Sequence, residues 1–369
     1  CYIYINADCY EYNLKKAKFY LNGTQVRQDY SYNSKYKYYY ILGYTEIKIE
    51  NDVATPTGFA AESATSSSVS LKWDKNANAS GYEIEQYKGG KWTQIAKINN
   101  NSTVSYNVSG LMAGTAYSFR LKAYRDNLSS DYVTLNVNTK PYTTTGMKCA
   151  AKTSSDIKLQ WDKNTSADGY MIDVYDGTKW KPIKTFTSNA NTSFDIKGLK
   201  ASLTYKFRMR AYKAFGSVTE YSNAVYLNVT TNPNTPTGMK CVAKTSSEIK
   251  LQWDKNTSAD GYMIDVYDGT KWKPIKTFTS NANTSFDIKG LKASLTYKFR
   301  MRAYKAFGSV TEYSNAVYLN VTTNPNTPTG MKCIAKSSSE IKLQWDKNTS
   351  AGGYIIDVYD GTKWKPIKT

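Results

Sequence analysis

Two short stretches and one missing residue type decide what chemistry is open to this chain. The stretch DKNTSADGYMID (162–173) sets oxygen-bearing side chains at Asp162, Asn164, Ser166 and Asp168, with Asp173 in the last place. A calcium-binding loop alternates its ligands in this way, but its sixth place needs glycine for a sharp turn, and helices flank it. Here the sixth place is Ala167, the surrounding pattern is not helical, and a later copy has Gly352 where Asp168 stands. A polar turn without a metal is therefore expected. The stretch GTKWKPIK places Trp180 between Lys179 and Lys181, with Lys184 close by, and the same side chains return as Lys271, Trp272 and Lys273. An indole exposed there would stack on a glycan, with the lysines meeting its acidic groups. An indole packed on its own sheet would be structural, the commoner role for an aromatic on a strand. The chain contains no histidine. A Ser-His-Asp or Cys-His nucleophile is then impossible within these residues, and the commonest metal ligand is missing. Isolated carboxylates such as Asp173 and Asp176 flank a turn, where Asp is expected for its local hydrogen bonds. The chain is not expected to be an enzyme, and no cofactor is implied.

These side chains must be positioned by a repeated unit. The residues YDGTKWKPIKT occur at 175–185, 267–277 and 359–369. Residues 145–236 match 237–328 except at Ala150/Val242 and Asp156/Glu248. A further copy from Thr329 differs from its predecessor at Ile334, Ser337, Gly352 and Ile355 and stops at Thr369, so we expect a segment of a longer protein with an incomplete last repeat. Trp161, Trp253 and Trp345 are spaced by 92 residues, and Trp73 precedes Trp161 by 88. Solenoid repeats of roughly 20–50 residues need neighbours to bury a core, whereas about 90 residues suffice for an autonomous domain. Within one repeat, IKLQW (157–161), GYMIDVY (169–175), TSFDIKG (192–198), LTYKFRMRAY (203–212) and AVYLNVT (224–230) alternate apolar and polar residues, the period of half-buried strands. Turn-formers separate them, Asp176-Gly177 being a hairpin signal. About six or seven short strands per repeat read as an antiparallel β-sandwich.

Each complete copy carries a Trp near the end of its second strand: Trp73, Trp161 and Trp253. A Leu and a Tyr six residues apart follow, as Leu111 and Tyr117, Leu199 and Tyr205, and Leu291 and Tyr297, and the strand begun by that Tyr reads YSFRLKAY or YKFRMRAY. On these residues the chain from residue 54 onward resembles fibronectin type III domains. The resemblance implies an all-β fold of tandem immunoglobulin-like sandwiches with seven antiparallel strands each. It makes the Leu–Tyr pair a tyrosine corner and gives core roles to Trp73, Trp161, Trp253, Trp345, Tyr117, Tyr205 and Tyr297. Where the family often has Pro two residues after the corner Leu, this chain has Ala113, Ala201 and Ala293. The stretch KAFGSVTEYSN (213–223) takes the place of the loop that carries an integrin tripeptide in some family members, but no Arg-Gly-Asp occurs. The expected division is 54–139, 140–231 and 232–323 as three repeats, with 324–369 as an incomplete fourth.

Residues 1–53 differ. They include twelve Tyr, the hairpin signal Asn22-Gly23 and the alternating run TEIKIE. They are expected to be the C-terminal part of a preceding β domain; the alternative is a small module whose Tyr rings stack on sugars. Cys1 and Cys9 lie near enough in sequence to pair, though nothing requires it. Cys149, Cys241 and Cys333 come one per repeat, so no bridge forms within a repeat, and they are expected to face inward as small core hydrophobes. The net charge is +19, distributed over the repeats without a basic tail. Lys outnumbers Arg, which argues against specific nucleic-acid readout. An anionic cell-wall polymer, a polysaccharide or another protein is the expected kind of partner. No run approaches the ~18 apolar residues of a membrane span. Asn-x-Ser/Thr triplets at Asn164, Asn191 and Asn228 would be glycosylation acceptors in a eukaryotic secreted protein, but the Asn-, Lys-, Tyr- and Ile-rich composition fits a bacterium with an AT-rich genome. The linkers NTKPYTT and TTNPNTP are stiffened by proline, which favours an extended arrangement. The expected function is a non-enzymatic extracellular spacer and interaction array of a larger surface or secreted protein. The alternative is an accessory, carbohydrate-binding array of a secreted polysaccharide-degrading enzyme whose catalytic domain lies elsewhere.

Overall fold

The computed structural model describes residues 53–368 and, before them, the backbone of five strands: Tyr2–Asn6, Tyr20–Leu21, Thr24–Gln25, Tyr30–Asn33 and Tyr38–Leu42. Tyr38–Leu42 is the middle strand of a three-stranded antiparallel sheet with Tyr2–Asn6 and Tyr30–Asn33, while Tyr20–Leu21 pairs with Thr24–Gln25. Cys1, Cys9 and TEIKIE fall outside the described residues. All the described elements are strands, and none is a helix able to cross a membrane. The chain divides into two compact units, Cys1–Thr139 and Lys140–Thr369.

In the second unit, residues 140–231 form two facing sheets. One has the order Lys148–Lys152, Ile157–Gln160, Ser193–Ile196. The other runs Trp180–Phe186, Gly169–Tyr175, Thr204–Phe215, with Val218–Tyr221 and Val225–Thr230 both paired to the long strand Thr204–Phe215. The alternation read from sequence becomes the two sides of each sheet. Ile157, Leu159, Tyr170, Ile172, Phe207, Met209 and Ala211 are buried between the sheets. Trp161 joins them, only 2% exposed, with its ring 5.5 Å from that of Tyr170 and 5.7 Å from that of Phe186. The buried Tyr170 hydroxyl accepts the Asn164 N–H (2.8 Å) and donates to the Asn189 carbonyl (3.1 Å), so its polar end is satisfied. Gly169 is needed because a Cβ there would lie 1.8 Å from the Phe186 carbonyl oxygen of the paired strand.

The corner tyrosines bind the backbone just upstream. The hydroxyls of Tyr117, Tyr205 and Tyr297 accept the N–H groups of Met112, Lys200 and Lys292 at 2.8, 2.8 and 2.7 Å. The strand register shifts between Cys149 and Ala151, and Cys149 ends half-buried against the core beside Met147, its Sγ donating to the Ala151 carbonyl. Burial pushes its thiol up against the opposing charge of Lys152. Cys241 is likewise half-buried, whereas Cys333 is exposed.

The stretch 213–223, expected as a loop, is mostly a hairpin. Phe215 pairs with Val218 and Tyr212 with Tyr221, and Gly216 makes the turn at φ 61°. The long strand runs on because its outward Tyr212 finds a cross-strand aromatic partner in Tyr221. This adds a short eighth strand to the expected seven.

Residues 232–323 repeat the architecture strand for strand, and in the first unit residues 54–139 form the same two sheets around Trp73, Tyr82 and Phe119. Residues 324–368 contribute two two-stranded sheets, Lys332–Lys336 with Ile341–Gln344 and Ile356–Tyr359 with Trp364–Lys368. Here Ile341 is 72% exposed, where its counterparts Ile157 and Ile249 are fully buried. Trp345 is half-buried against Tyr354.

Candidate functional site

Alternation makes Tyr175, Arg208, Arg210 and Tyr226 point away from the core on the larger sheet, and the antiparallel register brings them together. Asp173 pairs with Arg208 across Gly169–Tyr175 and Thr204–Phe215, Tyr226 lies opposite Arg208 on the next strand, and Trp180 lies opposite Tyr175 at the edge. The Arg208 guanidinium sits over the Trp180 ring at 4.9 Å, and the rings of Tyr175 and Tyr226 lie 5.3 and 5.6 Å from that indole. Asp173 anchors the group: its Oδ2 accepts Arg208 Nε at 2.8 Å and lies 2.7 and 3.5 Å from terminal nitrogens of Arg208 and Arg210. Arg210 in turn covers the Tyr221 ring at 4.9 Å. Asp173 is 1% exposed although it lies on the outward side of its strand. Cation–π stacking above the buried Asp173 carboxylate gathers these partly exposed side chains into one cluster on the outer face.

The same arrangement surrounds Trp272, with Tyr267 at 5.3 Å, Tyr318 at 5.6 Å, Arg300 at 4.9 Å and Asp265 beneath. In residues 324–368 the corresponding Trp364 is 68% exposed and lies beside Tyr359. The exposed ring beside Trp180 is Tyr226, 64% accessible. Lys179 and Lys181 are exposed on the adjoining hairpin, as are Lys271 and Lys273. Asp176 organises that turn, accepting the Thr178 and Lys179 N–H groups at 2.8 Å and pairing with Lys181 at 2.9 Å. The Lys181 contact and these N–H groups hold its carboxyl well below the usual range. Reading the sequence alone missed Asp173, Arg208 and Tyr226 as parts of this site. The signal was present in opposite charges at outward positions of two neighbouring strands.

The oxygens of 162–173 diverge. Asp162 accepts from Thr145 Oγ1, Asn164 Nδ2 donates to the Tyr142 carbonyl, Ser166 donates to Asn164, and Asp168 binds Lys213, while Asp173 lies under Arg208. No metal-holding cluster occurs among the described residues. Of the glycosylation triplets, Asn164 is buried with its amide engaged, while Asn191 and Asn228 are exposed.

Burial would raise the Asp168 carboxyl, but hydrogen bonds from Lys213 Nζ (2.6 Å) and the Ala214 N–H (3.0 Å) outweigh it, and the net direction is down. A carboxylate lowered in the folded state stabilises above its unfolded value, about 3.9, and loses that contribution as pH falls through the folded value. The melting temperature is therefore expected to drop on acidification below about pH 4, and Asp168→Asn with Asp260→Asn should shrink the drop, as scanning calorimetry against pH would read.

The fibronectin type III domain profile matches residues 54–135, 141–228 and 234–320, most of the chain. Exoglucanase B of Cellulomonas fimi is 28% identical over 322 residues, covering 82% of this chain and 28% of that protein. Chitinase A1 of Niallia circulans is 28% identical over 278 residues, covering 72% of this chain and 37% of that protein. The chain thus spans about a third of the length of these relatives. Among solved structures, a two-domain fibronectin type III segment of chicken tenascin aligns with 49% of this chain and 99% of its own at 19% identity and a TM-score of 0.34. With this profile match, the two-sheet sandwiches and the Tyr-to-backbone corners, the chain belongs to the fibronectin type III family.

Proposed function

We propose that the repeats act as a non-catalytic extracellular array that sets distance within a larger secreted polysaccharide-active protein. The observation that carries this reading is the packing of half-buried Trp180 and Trp272 on their own sheets, against Arg208 with Tyr226 and Arg300 with Tyr318. The lysine-flanked indole, the side chain best suited to grip a sugar, is in use as packing. The enzyme class of the two bacterial relatives supports the setting: their names describe a glucan hydrolase and a chitin hydrolase, and each matches this chain over only part of its length. Any attraction of the Lys-rich faces to anionic polymer would be diffuse and screened by salt.

The test is Trp180→Ala in the full chain. Loss of the ring and of its cation–π partner is expected to destabilise its repeat by about 1–3 kcal/mol. Retention on cellulose and chitin should be unchanged from the parent chain. A variant as stable as the parent that no longer adheres would reverse the assignment and make Trp180 a ligand contact.

A further inference from the structure

In the second unit, the polar groups where one repeat passes into the next are paired almost one by one. Thr231 is fully buried, giving its N–H to the Leu203 carbonyl (3.1 Å) and its Oγ1 to that of Lys200 (2.7 Å). Asn232 donates its N–H to the Thr153 carbonyl (3.0 Å) and accepts the Ser202 N–H (3.2 Å). Both residues therefore belong to the preceding repeat. Asn234 belongs to the following one: its N–H goes to Ser258 Oγ (2.8 Å), and its carbonyl accepts Asn256 Nδ2 (2.6 Å). Only Pro233 stands between these anchors, with φ fixed by its ring and no N–H to satisfy.

Two direct bonds then bridge the repeats beside the chain itself. Ser202 Oγ donates to the Ser258 carbonyl at 2.6 Å, and Lys152 Nζ meets Glu312 on the hairpin of the next repeat at 2.5 Å. Ser202 makes its bond from the left-handed region, at φ 53°. That conformation costs a non-glycine residue about 1–2 kcal/mol. Gly114 fills the corresponding position in 54–139 at φ 59°, so the backbone does not need serine there. A strained residue retained where glycine would fit points to work done by its side chain. The next junction repeats the device: Ser294 stands at φ 55° with its Oγ on the Ser350 carbonyl, and Asn326 N–H lies on Ser350 Oγ at 2.7 Å.

We propose that Ser202 and Ser294, with the Asn-Pro-Asn linkers and the Lys152–Glu312 pair, latch consecutive repeats in one relative orientation. Equivalent faces, such as those carrying Trp180 and Trp272, are then presented at a constant angle and distance. This holds whether or not the array serves as a spacer. The test is pulsed electron–electron distance measurement in the full chain, with nitroxides on noncanonical residues replacing the exposed Lys179 and Lys271. The parent should give one narrow distance peak. Ser202→Gly with Glu312→Ala removes both bridges and relieves the φ strain, and should raise the population of bent conformers roughly fivefold to tenfold. Ser202→Ala with Glu312→Ala, which keeps the strain, should broaden the peak equally. A broad distribution in the parent would overturn the proposal, and so would a variant peak as narrow as the parent's in a chain that melts normally.

Discussion

Trp161→Ala is expected to unfold residues 140–231 well below the melting temperature of their neighbour. The indole is 2% exposed and lies between the sheets against Tyr170 and Phe186. Truncating a buried Trp to Ala costs about 3–5 kcal/mol, from lost transfer energy and the cavity left behind. A small domain has only about 5–15 kcal/mol in total. Residues 232–323 offer an internal reference, because they carry the same core around Trp253. Scanning calorimetry of the full chain should therefore split, one repeat melting early and the equivalent one unmoved. Trp161→Phe should cost much less, since Trp161 Nε1 makes no hydrogen bond to a described group and only ring volume is lost. An unsplit transition in Trp161→Ala would show that the sandwich does not depend on this ring.

Asp173→Ala should be nearly as damaging, for an electrostatic reason. The carboxylate is 1% exposed beneath two guanidinium groups, whose side chains are 21% and 27% exposed. Removing it leaves two crowded positive charges, held on Trp180 and Tyr221, without a counter-charge. Breaking a buried ion pair from one side costs about 3–5 kcal/mol, and the partial exposure of the arginines places this pair at the lower end. The charge explanation makes a second demand: Asp173→Ala with Arg208→Met should recover part of the loss, because the stranded cation goes as well. Equal destabilisation by the single and double variants, measured by denaturant unfolding, would assign the effect to packing alone.

The strands, their inward faces and the corner tyrosines were legible because they rest on local signals: period-two alternation in GYMIDVY and YKFRMRAY, and a fixed Leu-to-Tyr spacing. What covers Trp180 was not, because it depends on partners brought from distant strands. Arg208 and Tyr226 stand far along the chain and reach the indole only through the register of three strands. Each outward residue had an ordinary solvent-facing reading on its own strand. Asp173 looked like a turn carboxylate for the same reason, and it is buried only because two arginines close over it. The hairpin at 213–223 stands where the family resemblance places a loop, and the Tyr212–Tyr221 pair that extends it is visible only once the strands are aligned. The left-handed serines were hidden by residue type. Only Gly114 at the corresponding position hinted that the backbone there turns this way.

The most direct measurement for the central claim is equilibrium binding of the full chain to cello- and chito-oligosaccharides and to a soluble anionic wall polymer, at low and at physiological salt. The expected result is no saturable binding to either neutral sugar, and attraction to the anionic polymer that fades as salt is raised. Saturable, salt-resistant binding to a neutral oligosaccharide, lost in Trp180→Ala with Trp272→Ala while the chain stays folded, would contradict the spacer reading and make each repeat a carbohydrate-binding module.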